Sequence, residues 1–188
     1  MSGPSAQPLP ALGPAPRRAT LRFMFGHPLR VLALGFGSGL SPWAPGTVGT
    51  LWAWLAFVVL QPRLGAADGA LLLAGGFVLG CWASTVTARH LGQADPGCIV
   101  WDEVIAFWLV LWLVMPAGLL AQTIAFALFR FFDAAKPGPV AWADALFKPR
   151  HGPDRAAIVG WKQGLGIMLD DLVAALCTLL VIALWRFW

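Results

Sequence analysis

Residues 104–131 constrain this chain more than any other segment: they form one long apolar stretch, interrupted at Met115-Pro116-Ala117-Gly118. As a single straight helix these 28 residues would extend about 42 Å at about 1.5 Å each, against about 30 Å for a hydrocarbon core. The spacing therefore predicts two short helices folded as a hairpin, with a turn deep in or across a membrane. Further apolar stretches cover roughly 47–61, which stops at Pro62, then 69–88 and 172–188. None alternates with period 2, so helices are the only spanning form the pattern allows. The expected fold is all-α: an integral membrane bundle of about five helices, including the short Pro/Gly-broken hairpin. Gly76 and Gly80, four apart in the second stretch, predict a close approach of two helices.

Composition points the same way. Of the 188 residues, 59% are hydrophobic and 12% charged, and the mean hydropathy is +0.72. These figures exclude an ordinary soluble domain, a disordered chain, collagen and a coiled coil. The net charge of +4 comes from 13 Lys+Arg against 9 Asp+Glu. That excess fits loops beside anionic lipid, and no nucleic-acid partner is expected. The first 16 residues hold five prolines, so residues 1–28 are expected as a disordered tail and 29–188 as a single membrane-embedded domain. Arg17, Arg18, Arg22 and Arg30 precede the first apolar stretch, Arg89 follows the second, and Arg130, Lys136, Lys148, Arg150, Arg155 and Lys162 follow the hairpin. A hairpin puts all three groups on one side, and the positive-inside rule makes that side cytoplasmic. Cys81, Cys98 and Cys177 read as free thiols and the three histidines are scattered, so zinc is not expected.

The acids carry the chemistry. Asp102, Glu103, Asp133, Asp170 and Asp171 sit at the edges of apolar stretches, where ionisable groups are costly unless paired or functional. Carboxylates converging at one end of a bundle repel one another, and a hard divalent cation, Mg²⁺ above all, relieves that repulsion. Asp102-Glu103 and Asp170-Asp171 are expected to open helices, where either pair could equally serve as a cap. Asp133 falls near a helix C-terminus, where negative charge is disfavoured. Its neighbours Arg130 and Lys136 share its face if the helix continues that far.

A second signal is the run from Gly35 to Thr50, with Gly35, Gly37, Gly39, Gly46 and Gly49 interleaved with Ser38, Ser41, Thr47 and Thr50. Glycines and hydroxyls ahead of a helix can cradle a phosphate. The spacing matches neither a P-loop nor a dinucleotide fingerprint, and a re-entrant or interfacial turn is the competing reading.

Together these segments resemble the phosphatidylglycerophosphatase A family of bacterial membrane lipid phosphatases. The resemblance is carried by GFGSGLSPWAPGTVGTL (35–51), DPGCIVWDEVIAFW (95–108), FRFFDAAKPGPV (129–140) and GLGIMLDDLVAA (164–175), in order along the chain. It implies Mg²⁺-dependent removal of the terminal phosphate of phosphatidylglycerophosphate, giving phosphatidylglycerol, by a multi-pass protein of the bacterial inner membrane whose site faces the cytoplasm. Carried over residue by residue, it implies metal-binding and catalytic roles for Asp102, Glu103, Asp133, Asp170 and Asp171. It implies a catalytic role for Lys136, and binding of the substrate phosphate by Ser41, Gly46, Thr47 and Arg130. Two departures stand out: Ala106 replaces a usual glycine, and 145–163, with Gln163 in place of another glycine, is a longer and more basic link, expected as a surface loop at lipid head groups. Association with further copies is left open, as is the choice between water attack and an aspartyl-phosphate. The rival readings are a phosphatase for another lipid or polyprenyl phosphate, a small cation transporter or channel, and a structural assembly protein. Against the transporter, no acid is expected in the middle of a helix.

Overall fold

The computed structural model describes residues 18–147 and 160–187. Among these residues every regular element is helical. Two short helices lead in, α1 (Leu21–Phe25) and α2 (Pro28–Ala33). Thr20 Oγ1 caps the first by accepting from Phe23 N–H at 3.1 Å, and His27 Nδ1 caps the second from Leu29 N–H at 3.2 Å. Most of the expected tail, residues 1–17, lies outside the described residues, and α1 occupies part of the remainder. A 3-10 turn at Gly35–Leu40 follows, with Gly37 at φ 107, a conformation open to glycine.

The apolar stretches then form α3 (Pro45–Leu60), α4 (Ala66–Leu91), α5 (Trp101–Val114), α6 (Leu119–Ala135) and, after α7 (Pro139–Phe147), α8 (Trp161–Phe187). Proline in the first turn of α3 costs no hydrogen bond, because that N–H has no partner in a helix anyway. Gly92, at φ 68, closes α4 in the left-handed conformation. The expected break falls between Val114 and Leu119. The chain does turn back there: Arg130 near the end of α6 lies 3.8 Å from Glu103 in the first turn of α5. Gln122 pins the turn, donating to Ala117 O at 2.8 Å and accepting from Trp54 Nε1 of α3 at 2.7 Å. The short helices α1, α2 and α7 are additional to the expected five.

α5 is the axis of the bundle and packs against α3, α4, α6 and α8. Val104, Phe107, Val110 and Leu111 are completely buried. Trp101 Nε1 donates to Gly76 O at 2.9 Å, and Trp108 Nε1 donates to Ala53 O at 2.7 Å, so both buried indoles are satisfied. Gly76 and Gly80 provide the expected close approach: a Cβ on Gly76 would run into the Ile105 side chain, and one on Gly80 would lie 2.7 Å from Trp101 Cδ1 and 2.8 Å from Met168 Cε.

α4 and α8 are long and apolar enough to cross a membrane, with mean hydropathies of 1.7 and 2.3. With 16, 14 and 17 residues, α3, α5 and α6 reach about 24, 21 and 26 Å, short of the roughly 30 Å core. The outer faces of these helices expose Leu55, Leu71, Val78, Leu120, Leu180 and Leu184, a surface suited to hydrocarbon.

One expectation is corrected. Asp170 and Asp171 do not open a helix, because α8 begins at Trp161 and carries both acids in its interior. Close packing holds the added turns: a Cβ on Gly164 would meet Thr85 Oγ1 and Cys81 O of α4, and one on Gly166 would meet Phe147 Cβ of α7. Gln163 helps to start the helix, its Oε1 accepting Gly160 N–H at 2.6 Å. The middle of the expected basic link, 148–159, lies outside the described residues.

Candidate active site

Four segments meet at one end of the bundle: the starts of α3 and α5, the end of α6 and the interior of α8. Carboxylate oxygens of Asp102, Glu103 and Asp171 all lie within 4.8 Å of one another. Glu103 is 9% exposed, Asp170 8% and Asp171 3%. The carboxyls of Asp102 and Glu103 are within hydrogen-bond reach of each other, as are those of Asp133 and Asp171. Carboxylates this close must share protons or a cation. Asp102 Oδ1, Glu103 Oε2 and Asp171 Oδ2 are buried without a hydrogen-bond partner, and so is Arg130 Nε. An all-oxygen set with buried, unpartnered acceptors is the kind a hard divalent cation fits. These three residues could hold one.

Arg130 supplies the nearest positive charge. Its Nη1 bonds Asp133 Oδ2 one turn along α6 and lies 3.8 Å from Glu103 Oε1. The Arg130–Asp133 pair is both the ion pair expected from their spacing and part of the cluster. Lys136 behaves otherwise. α6 ends at Ala135, Lys136 takes a left-handed conformation at φ 43, and its ammonium turns away from Asp133. It bridges Asp144 Oδ1 at 2.6 Å and Asp170 Oδ2 at 2.5 Å. Burial opposes the lysine's charge, but the bonds to Asp144 and Asp170 outweigh it and hold the ammonium above the ordinary lysine range. Asp170 thus faces Lys136, while its neighbour Asp171 faces the other acids.

The glycine run divides. Gly46 alone borders the acids: a Cβ there would collide with Glu103 Oε1 and sit 3.1 Å from Arg130 Nη1. Thr47 stands beside it in the first turn of α3. Ser41 is used locally, donating to Trp43 O at 2.8 Å, and it lines a separate cavity with Thr20, Gly37 and Val48. Gly39 and Gly49 serve packing, since a Cβ on the former would strike Cys98 O and one on the latter would lie 2.7 Å from Val100 Cβ. Their small size seats the loop on the segment that leads into Asp102 and Glu103. Burial pushes the Cys98 thiol up, with Asp102 adding to it. All three cysteines are free thiols.

A family model described as phosphatidylglycerophosphatase A matches residues 31–186. The chain belongs to the phosphatidylglycerophosphatase A family. A phosphatidylglycerophosphatase A of Haemophilus influenzae is 36% identical over 162 residues, covering 86% of this chain and 91% of the relative. That of Escherichia coli K12 is 36% identical over 156 residues, covering 83% and 82%. A Bacteroides thetaiotaomicron relative, provisionally named a phosphatidylinositol-3-phosphatase, is 34% identical over 165 residues, 84% of this chain and 92% of its own length. No solved structure matches.

Sequence reasoning left Asp144 out of the site. The signal was present: Asp144 lies four residues after the fully buried Val140 and follows the buried Ala143, so a charge falls on the inward face of α7. Asp95 also approaches, lining with Asp144, Gln163 and Asp170 a small cavity of about 30 Å³. The interior position of Asp170 and Asp171 removes one argument against a transporter, the absence of mid-helix acids, while the gathering of the acids at one end of the bundle still weighs against it.

Proposed function

We propose that the protein hydrolyses the terminal phosphomonoester of phosphatidylglycerophosphate, giving phosphatidylglycerol and inorganic phosphate, with Mg²⁺ held by Asp102, Glu103 and Asp171. The observation that carries this reading is the trio of carboxylates, each with a buried, unpartnered oxygen, beside Arg130. When bound, the ion supplies charge neutralisation and polarisation of a phosphoryl oxygen. Arg130, set by Asp133 and near Glu103, balances the charge that grows on the phosphoryl oxygens in the transition state. Gly46, in the first turn of α3, has no side chain and so lets the Glu103 carboxylate and the Arg130 guanidinium lie close against the start of that helix. Lys136 holds Asp170 at the rim of the cluster. Asp133 is the carboxylate that orients an attacking water, and a hydroxylamine-labile phosphoprotein would instead identify an aspartyl-phosphate route.

The lipid's chains stay in the bilayer. Arg22, Arg30, Arg89, Arg130 and Lys136 gather at the site end of the bundle, where Val100 N–H bonds Ala33 O at 3.0 Å and Arg30 Nε bonds His90 at 3.1 Å. That charge pattern favours a multi-pass protein of the inner membrane with its site toward the cytoplasm.

The test is phosphate release by purified protein from phosphatidylglycerophosphate in mixed micelles, with Mg²⁺ titrated against EDTA. Release that requires Mg²⁺ and disappears in Asp171→Asn is expected. Absence of release from folded protein would overturn the substrate assignment. Because one relative's name points to another lipid phosphate, phosphatidylinositol 3-phosphate belongs in the same assay, and faster turnover of it would transfer the assignment.

A further inference from the structure

Residues 18–28 belong to the segment expected as a tail, yet α1 is fixed to the site end of the bundle. Arg30 ties it down. Its Nη1 donates to Phe23 O at 3.0 Å, its guanidinium lies 4.2 Å from the centroid of the Phe23 ring, and its Nε bonds His90 of α4. Met24 is buried, while Leu21 is 63% and Phe25 71% exposed, with Arg18 and Arg22 exposed beside them. Trp43, 83% exposed, stands just before the first turn of α3. Large apolar groups held outward among cations mark a surface made for a partner rather than for water.

α3 relates this surface to the acids on one side and to lipid on the other. Gly46, which borders Glu103 and Arg130, shares its side of the helix with the buried Thr50, Ala53 and Phe57. Val48 lies about 160° around the axis from Gly46. It begins a stripe with Leu51, Leu55 and Val59, spaced three or four residues apart and all three exposed. Val48 also lines a cavity with Leu21 of α1 and with Leu40. The outward stripe of α3 therefore runs up to α1 at the level of its own first turn, and the acids lie at that level across the helix. Hydrocarbon-facing side chains followed by aromatic groups and arginines are what a chain shows where it crosses a membrane boundary. The charge selects the lipid. Residues 1–67 contain no acid, so nothing within the segment cancels Arg18 and Arg22, and the surface favours anionic head groups.

We propose that α1 and Trp43 dock in the head-group layer of an anionic phospholipid leaflet, with Leu21, Phe25 and Trp43 in the interface and Arg18 and Arg22 at lipid phosphates. The docked face sets the depth of the acid cluster, because both are built on the first turn of α3. The inference rests on the reading of the bundle as membrane-spanning with a lipid substrate, and adds the surface that fixes its height. A lipid phosphate at head-group level then meets the acids without leaving its leaflet, which is positioning done before any chemistry.

The experiment places a nitroxide on Phe25→Cys in the full chain, with Cys81, Cys98 and Cys177 replaced by alanine, reconstituted in vesicles of equal parts phosphatidylglycerol and phosphatidylcholine. Labels on Leu55→Cys and on Lys162→Cys, both exposed positions, give the hydrocarbon and water references. Collisions with oxygen against those with a water-soluble nickel chelate should put the Phe25 label at a depth between the two. In pure phosphatidylcholine it should move toward water. In Arg18→Gln/Arg22→Gln the docking equilibrium should fall about thirtyfold, two arginines together. A label as open to the chelate as that at Lys162 would overturn the proposal. Equal depth in both lipid mixtures and in the arginine variant would remove the anionic partner and overturn it too. So would shielding from both reagents with spin–spin broadening, which would make this face an interface between copies.

A turnover arm tests the depth. Leu21→Ser/Phe25→Ser should lower phosphate release from long-chain phosphatidylglycerophosphate in the same vesicles about tenfold. It should leave release from the monomeric dihexanoyl analogue unaltered, which also shows that the variant has folded. Equal losses on both substrates, or no loss on either, would overturn the depth-setting role. A Phe25 label seated in lipid, with no release from the unaltered protein, would keep the docking face and discard the catalytic reading.

Discussion

Replacing Gly46 with Ala puts one methyl group where α3 meets the acid cluster. The added Cβ would collide with Glu103 Oε1 and sit 3.1 Å and 3.2 Å from Arg130 Nη1 and Nη2. To restore van der Waals contact the carboxylate must retreat by about 1 Å. A misplacement of about 1 Å at a reacting centre costs about 10²-fold in rate, so kcat/KM for phosphate release is expected to fall about a hundredfold. Stability should hardly follow. Alanine in a helix gains about 1 kcal/mol over glycine, which offsets about half of the roughly 1–3 kcal/mol of overpacking. The melting temperature, read by intrinsic tryptophan fluorescence, should therefore stay within a few degrees. Gly75→Ala is the control: a Cβ at that α4 position meets nothing within 4 Å, so activity should be unchanged and stability slightly raised. Turnover of Gly46→Ala within threefold of the unaltered protein would refute the claim that α3 fixes Glu103 for catalysis.

Other perturbations probe the electrostatics and the core. Asp171→Asn relieves repulsion among buried acids, so without Mg²⁺ the variant should melt at a higher temperature than the unaltered protein. With Mg²⁺ at about a hundred times its Kd, the unaltered protein should gain about 2.7 kcal/mol and the variant far less; equal gains would place the ion elsewhere. Lys136→Met removes the ammonium that bridges Asp144 and Asp170 and should destabilise the protein measurably. The ammonium is favoured in the fold, so its contribution is complete below about pH 10.4, the unfolded value, and is lost only as pH rises through the higher folded one. The stability gap between the two proteins should hold constant from pH 7 to 10 in denaturant titrations. A gap that closes near pH 8 would mean that the lysine is neutral there. Trp101→Phe removes the donor to Gly76 O and should cost about 1–2 kcal/mol, seen as a lower denaturation midpoint.

Much of this arrangement could be read from local pattern. The Met115–Gly118 interruption announced the turn, since a proline in the interior of a helical pattern removes a hydrogen bond and clashes with the preceding turn. Gly76 and Gly80 announced a close contact because four residues return to the same helix face. The acids stood out against apolar surroundings. What stayed hidden depends on contacts between distant segments. Gly164 and Gly166 look like helix breakers in the sequence, yet α4 and α7 pack so closely on them that they start α8; that displaced Asp170 and Asp171 from a helix end to its interior. The glycines of 35–49 suggested a phosphate loop throughout, whereas Gly39 and Gly49 make room for Cys98 and Val100, and only Gly46 reaches the charges. Asp144 was overlooked because its partner Lys136 belongs to α6 only as the residue that ends it.

The late position of Asp171 has a consequence for biosynthesis. Asp102, Glu103, Arg130 and Asp133 leave the ribosome well before α8, and until α8 packs against α5 and α6 the trio proposed to hold the cation lacks its third carboxylate. Under the proposed assignment, catalytic competence therefore waits on α8. A polypeptide cut short before residue 171 would already hold the hairpin and its charges, yet it would have no complete site with which to act on lipid during its own insertion.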